Sequence, residues 1–166
     1  MCPVKLCEYM HRGRECEDYI THVWKIQDEK NYIIGAFHES NHWMLIVTCL
    51  GLNTIYILDS DRKNPKRLDI KKRLQNAWSI HCIQGGRRNF ARKNNKLIIK
   101  DDILCPQQPM DYECGYYVTK WMYNITFYFS SKKKEEFVKL MEESSMSSGD
   151  IYEIKEEWAT KCLENL

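Results

Sequence analysis

At 166 residues the chain has room for one well-cored domain and not for two. Its 43% hydrophobic and 29% charged residues, with 10 Tyr, 5 Trp and 5 Phe, exclude a disordered polypeptide, and a net charge of +2 favours neither nucleic acid nor a membrane surface as main partner. No apolar run approaches the roughly 18 residues that a membrane-spanning helix needs.

The opening residues, MCPVKLCEYMHRGRECED, are too polar for the apolar core of a secretory signal, so an intracellular protein is expected. Its 8 cysteines are then reduced thiols rather than four disulfides, and one of them is free to be reactive.

A short helix is expected around Glu17–Lys25, with Tyr19, Ile20, Val23 and Trp24 as its apolar stripe. Asn31–Phe37 reads as a strand, His42–Cys49 as a stronger one that is apolar nearly throughout, and Thr54–Leu58 as a third. Gly51 and Asn53 mark a turn that makes the last two strands a hairpin. Beyond a basic, Pro-containing turn, Leu68, Ile70, Leu74 and Ala77 suit a surface helix within Arg62–Trp78. Residues 84–96 read as an exposed loop or hairpin tip, and Leu97–Leu104 holds a short strand. Pro106 and Pro109 break the chain before a buried helix, Cys114–Phe129, in which Tyr117, Val118, Trp121, Met122, Ile125 and Phe129 recur at helical spacing. Two amphipathic helices, Lys132–Glu143 and Ile151–Leu166, follow, separated by a flexible linker, Ser144–Asp150. The class is α+β, with helices packed on a small, mostly antiparallel sheet.

Cys114 stands between a Pro/Gln loop and an apolar helix. A thiol at a helix N-terminus feels the positive end of the dipole and exposed amide donors, both of which favour the nucleophilic thiolate. Gly115 beside it allows close backbone approach to a substrate. A buried structural thiol is the competing reading. His42 opens a strand, and its relation to Asp59 is a matter of register. A two- or four-residue turn centred between Gly51 and Leu52 pairs residues whose numbers sum to 103, which sets Met44 opposite Asp59. His42 and Asp59 then share a face as diagonal neighbours roughly 7–8 Å apart. A carboxylate so placed can hold the imidazole's tautomer and orientation. Asp61 rivals Asp59 for this place. Gln108, in the loop that delivers Cys114, can donate an amide N–H to an oxyanion, and the neighbouring Gln107 could do the same.

The order and spacing of these residues are more specific than any one of them. The segments FHESNHWMLIV, IYILDS and CPQQPMDYECGYYV resemble the ubiquitin-like-protein-specific cysteine proteases, the SUMO protease family of the adenovirus-protease type. That family's pattern is His-Trp, an Asp seventeen residues on, and a Gln six residues before Cys-Gly. His42-Trp43, Asp59, Gln108 and Cys114-Gly115 match each step. The wording looks closest to plant, often transposon-associated, members, and the resemblance is specific over residues 31–128.

The resemblance implies a papain-like fold over a single domain, 1–166. It implies Cys114 as nucleophile, His42 as general base and then acid, Asp59 as its orienting group, and Gln108 with the Cys114 amide at the oxyanion. Trp43 would form a wall or floor of the site. The implied partner is a ubiquitin-like, SUMO-like protein or its conjugates, cleaved after Gly-Gly by a monomer in the nucleus or cytoplasm. Two departures stand out: Glu113 replaces the family's usual Asp, and the N-terminal Trp segment that roofs the site in that family is not obvious here, Trp24 being an unconvincing substitute. Active-site chemistry of this kind needs no metal or cofactor, and no Cys-x-x-Cys pair suggests zinc. The basic stretches 62–73 and 87–96 suit an acidic partner face. They equally suit an idle domain that binds protein or nucleic acid, and an acyltransferase with the same Cys-His-Asp machinery is the remaining alternative.

Overall fold

The computed structural model describes residues 14–39, 41–61, 68–85, 96–129 and 147–164. The expected helix at Lys132–Glu143, most of the loop at 84–96 and much of both basic stretches lie outside these.

Eight β-forming residues, His42–Cys49, become an inner strand of a four-stranded sheet. The strands are β1 (Ile33–Glu39), β2 (His42–Cys49), β3 (Thr54–Leu58) and β4 (Ile98–Lys100), side by side in that order. The first three are antiparallel neighbours, and β4 joins β3 in parallel. The helices among the described residues are α1 (Arg14–Ile26), α2 (Leu68–Ile83), α3 (Cys114–Phe129) and α4 (Ser148–Glu164).

The period of two along each strand explains why β2 is apolar at consecutive positions. Met44 and Ile46 point to one face, where Ile33, Phe37, Ile55 and Ile57 meet Ile20, Val23 and Trp24 of α1 and Leu74, Ala77 and Trp78 of α2. Leu45, Val47 and Cys49 point to the other, where Tyr56 and Leu58 meet Tyr117, Val118, Trp121 and Ile125 of α3 and Ile151 of α4. The sheet is thus covered on both sides. Burying Leu45 or Trp121, both 0% exposed, contributes about 1.5–3 kcal/mol each from surface removed from water.

The turn between β2 and β3 is a 3-10 turn, Leu50–Leu52, closed by Asn53 at φ 51°, whose N–H donates to the Leu50 carbonyl. Asn tolerates this left-handed conformation better than most residues. The observed pairs, from Leu45 with Leu58 to Cys49 with Thr54, follow the register that the turn residues predict. A second turn, with Asn41 at φ 64°, joins β1 to β2 and brings Glu39 opposite His42, which makes His42 the first residue of its strand.

The helix boundaries need three corrections. Helix α1 begins at Arg14, earlier than its apolar stripe suggests. Helix α2 runs on to Ile83 because His81, 2% exposed, packs against Trp24 and Trp78 and lies 3.7 Å from Asp28, holding the last turn against α1. The linker expected over Ser144–Asp150 gives way to helix at Ser148. Ser147 and Asp150 explain this: the Ser147 N–H and hydroxyl donate to Asp150 Oδ2 at 2.8 and 2.7 Å, and the Asp150 N–H donates to Ser147 Oγ at 3.2 Å. This reciprocal pairing satisfies amides that a helix start leaves open.

Candidate active site

The end of the sheet where β2 begins and β3 finishes meets the N-terminus of α3. His42 Nε2 lies 2.7 Å from Asp59 Oδ1. The same carboxylate oxygen accepts the Asp61 backbone N–H at 2.7 Å, so Asp61 fixes the carboxylate through its main chain, while its own side chain is not what the imidazole meets. Asp59 is 2% exposed and His42 half-buried, which keeps water from competing for the bond.

The Cys114 thiol lies close enough to His42 for each to shift the other's ionisation. With Nε2 taken by Asp59, Nδ1 is the nitrogen left for the thiol. The imidazole therefore bridges the carboxylate and the thiol. Burial favours its neutral form. Bonds from Asp59 and Cys114, with the charge of each, outweigh that and push His42 up to about 9. Burial likewise opposes ionisation of Cys114. The His42 bond, the Trp43 amide, the imidazolium charge and the Gly115 amide outweigh it and hold the thiol below its ordinary value. Both shifts favour a thiolate–imidazolium pair at neutral pH.

Cys114 is the first residue of α3, where backbone N–H groups lack intrahelical partners. The helix start is anchored by the Glu113 carbonyl, which accepts from Tyr116 N–H at 2.9 Å. Its other anchor is the Tyr117 hydroxyl, which donates to the Gln107 carbonyl at 3.1 Å and ties α3 to the preceding loop.

The two glutamines of that loop part company. Gln107 Nε2 donates to the backbone carbonyls of Asp59 and Cys105, at 3.1 and 3.0 Å, so its amide is spent on holding the end of β3. Gln108 is held differently. Its N–H donates to the Ser60 carbonyl at 2.8 Å, and its side-chain Oε1 accepts the Ser60 hydroxyl at 2.7 Å. With the amide oxygen engaged, the amide nitrogen is the end left to donate.

Trp43 is half-buried, with its ring 4.6 Å from His38 across the β1–β2 pair. A Cβ placed on Gly115 would sit 4.0 Å from Trp43 Cδ1, an ordinary contact, so the fold itself does not demand glycine there. Trp43 and Gly115 line a mostly apolar cavity of about 1000 Å³ that starts at Cys114 and runs along α3 past Tyr112, Met122 and Tyr123. Trp24 is 0% exposed in the core between α1 and α2, which makes it a packing residue.

Of the residues singled out in the sequence, His42 bonds Asp59 and interacts with Cys114, Gln108 joins them through Ser60, and Trp43 and Gly115 line the cavity beside Cys114. Sequence reasoning missed Ser60, Cys105 and Tyr117. Cys105 Sγ donates to the Asp59 carbonyl at 3.1 Å. Ser60 left only its adjacency to Asp59 as a signal in the sequence. No group of three or more His, Cys, Asp or Glu side chains among the described residues is placed to hold a metal ion.

A thiol on a helix N-terminus, facing a strand-borne imidazole and carboxylate, belongs to an α+β cysteine-protease architecture of the papain-like, adenovirus-protease type. Residues 4–166 match the family described as the Ulp1 protease family, C-terminal catalytic domain, and the chain belongs to that family. Among solved structures it is similar to SUMO protease Ulp1 with the catalytic cysteine oxidized to a sulfonic acid: 20% identity, TM-score 0.54, covering 88% of this chain and 61% of that one. The sulfenic acid form gives 21% identity and TM-score 0.52, over 88% and 59%. The Chaetomium thermophilum Ulp1-like SUMO protease catalytic domain gives 21% identity and TM-score 0.40, over 55% and 33%. The chain thus spans from 33% to 61% of the length of these three chains. No curated protein matches it. Among the described residues no helix is long and apolar enough to cross a membrane.

Proposed function

We propose that this chain is a cysteine peptidase that cleaves after the C-terminal Gly-Gly of a ubiquitin-like, SUMO-like protein. The observation that carries the reading is His42, which bonds Asp59 at 2.7 Å and interacts with the Cys114 thiol. Membership of the Ulp1 protease family supports the substrate class.

In this reading the Cys114 thiolate attacks the carbonyl carbon of the terminal glycine, and the C=O electron pair moves onto oxygen. The oxyanion accepts hydrogen bonds from Gln108 Nε2 and the Cys114 backbone N–H, donors set in place before charge develops. The tetrahedral adduct collapses, the C–N bond breaks, and His42 Nδ1–H protonates the departing amine. His42, now neutral, takes a proton from water as the water attacks the thioester, and the acid product leaves with Cys114 restored as thiolate. Asp59 keeps the ring oriented and stabilises its charged form. The apolar cavity beside Trp43 and Gly115 suits an extended, side-chain-poor tail.

The test is incubation with ubiquitin-like proteins carrying a C-terminal electrophile, read by intact mass. The expected result is one adduct with the SUMO-type probe, lost in Cys114→Ala. A folded protein that reacts with none of the probes contradicts the reading.

A further inference from the structure

The acid of the triad and the oxyanion donor come from segments far apart in sequence, yet adjacent residues of each are bonded in pairs. The backbone carbonyl of Asp59 accepts Gln107 Nε2, and the backbone carbonyl of Ser60 accepts the Gln108 N–H at 2.8 Å. A third bond joins side chains: Ser60 Oγ donates to Gln108 Oε1 at 2.7 Å. Ser60 is 0% exposed, so water cannot replace its hydroxyl.

From these contacts we infer that Ser60 is a positioning residue for catalysis, whose hydroxyl fixes the Gln108 carboxamide with its NH2 toward the oxyanion. The inference rests on the proposed role of Gln108. A carboxamide has one acceptor end and one donor end, and a half-turn about its last bond exchanges them. The wrong end would set an oxygen lone pair against a developing negative charge. A hydroxyl donating to Oε1 from a closed site opposes that rotation, and its 2.7 Å length is that of an O–H···O bond, shorter than the usual N–H···O bond. The Asp-Ser dipeptide at the end of β3 then serves both halves of the site. Asp59 orients the base, and Ser60 orients the oxyanion donor.

The experiment compares Ser60→Ala, Gln108→Ala and the double variant in the full chain, using a ubiquitin-like protein with a C-terminal fluorogenic amide. Removing an oxyanion donor costs about 100–1000-fold in kcat, and loosening one is expected to cost about tenfold or more. The expected result is a fall in kcat for Ser60→Ala with KM little changed, and a double variant no slower than Gln108→Ala. The alkylation rate of Cys114 by iodoacetamide, and its pH profile, should not move, because the thiolate–imidazolium pair does not involve Ser60. Ser60→Cys fills similar space with a weaker donor and should remain impaired; if Ser60→Ala does not fold, it takes that variant's place. Wild-type kcat in Ser60→Ala, losses that multiply in the double variant, or an altered alkylation profile would each overturn the inference. If Gln108→Ala is itself fully active, the oxyanion assignment fails and the inference with it. If the wild type turns over no substrate, the Gln108 side-chain amide protons decide by NMR: the inference needs them to shift and exchange faster in Ser60→Ala, and unchanged signals overturn it.

Discussion

His42 and Asp59 bond at 2.7 Å although neither stands opposite the other in the sheet. The paired register ends at Leu45 with Leu58; carried one residue further it would set Met44 opposite Asp59, which leaves His42 one diagonal step away on the same face. The bond therefore depends on a turn some distance off. The left-handed Asn53 and its 3-10 turn set the parity that makes the two side chains neighbours.

That dependence makes Asp59→Asn informative. The variant keeps the shape and can still accept from Nε2–H, but it removes the charge that helps raise His42 to about 9. The upper limb of the pH profile for turnover should move down, with kcat reduced by at least tenfold at neutral pH. Asp61→Ala keeps the backbone N–H that Asp59 uses, and should leave that limb in place.

Two pH profiles should separate the members of the pair. As pH rises through about 9, His42 loses its proton, so turnover falls for want of a general acid. The thiolate persists there, so alkylation of Cys114 stays fast. As pH falls through the lowered value of Cys114, the thiolate is protonated and both rates drop together. Stopped-flow alkylation alongside steady-state hydrolysis measures this directly.

The neighbouring glutamines should differ in their effects. Gln107→Ala removes the part-buried bonds to the Asp59 and Cys105 carbonyls, and is expected to cost about 0.5–1.5 kcal/mol in urea unfolding, the net worth of an ordinary hydrogen bond, because the Asp59 carbonyl keeps the Cys105 thiol as a donor. Gln108→Ala should lower kcat by about 100-fold or more, and should also cost about 1–3 kcal/mol of stability, because it leaves the buried Ser60 hydroxyl without its acceptor.

How far the sequence carried depends on the kind of signal. Strands β2 and β3 were legible to the residue because His42–Cys49 and Thr54–Leu58 are dense in β-formers and bracketed by turn residues. Helix α3 was legible because its apolar positions recur at helical spacing. The last turn of α2 was not, since the contacts that hold His81 come from α1, across a large sequence separation. The start of α4 was hidden in a run of serines that looks like linker until Ser147 and Asp150 are seen to cap one another. In the site, types and spacing pointed to Cys114, His42 and Asp59. Residue type alone did not separate Gln107 from Gln108; only the spacing of the family resemblance chose Gln108, because the physical distinction lies in which one Ser60 reaches and which one the end of β3 consumes.

The cap itself is testable. Ser147→Ala should destabilise α4 by about 0.5–2 kcal/mol, seen as a lower Tm, with alkylation of Cys114 unchanged because the Ser147–Asp150 cap makes no bond to Cys114 or His42.

The central claim is tested most directly by hydrolysis of a SUMO-type protein extended beyond its Gly-Gly, comparing the wild-type chain with Cys114→Ala at neutral pH. Cleavage directly after Gly-Gly by the wild type, with none by the variant, is the predicted result. Cleavage that survives Cys114→Ala, or a folded wild type that leaves the bond intact, would contradict the account.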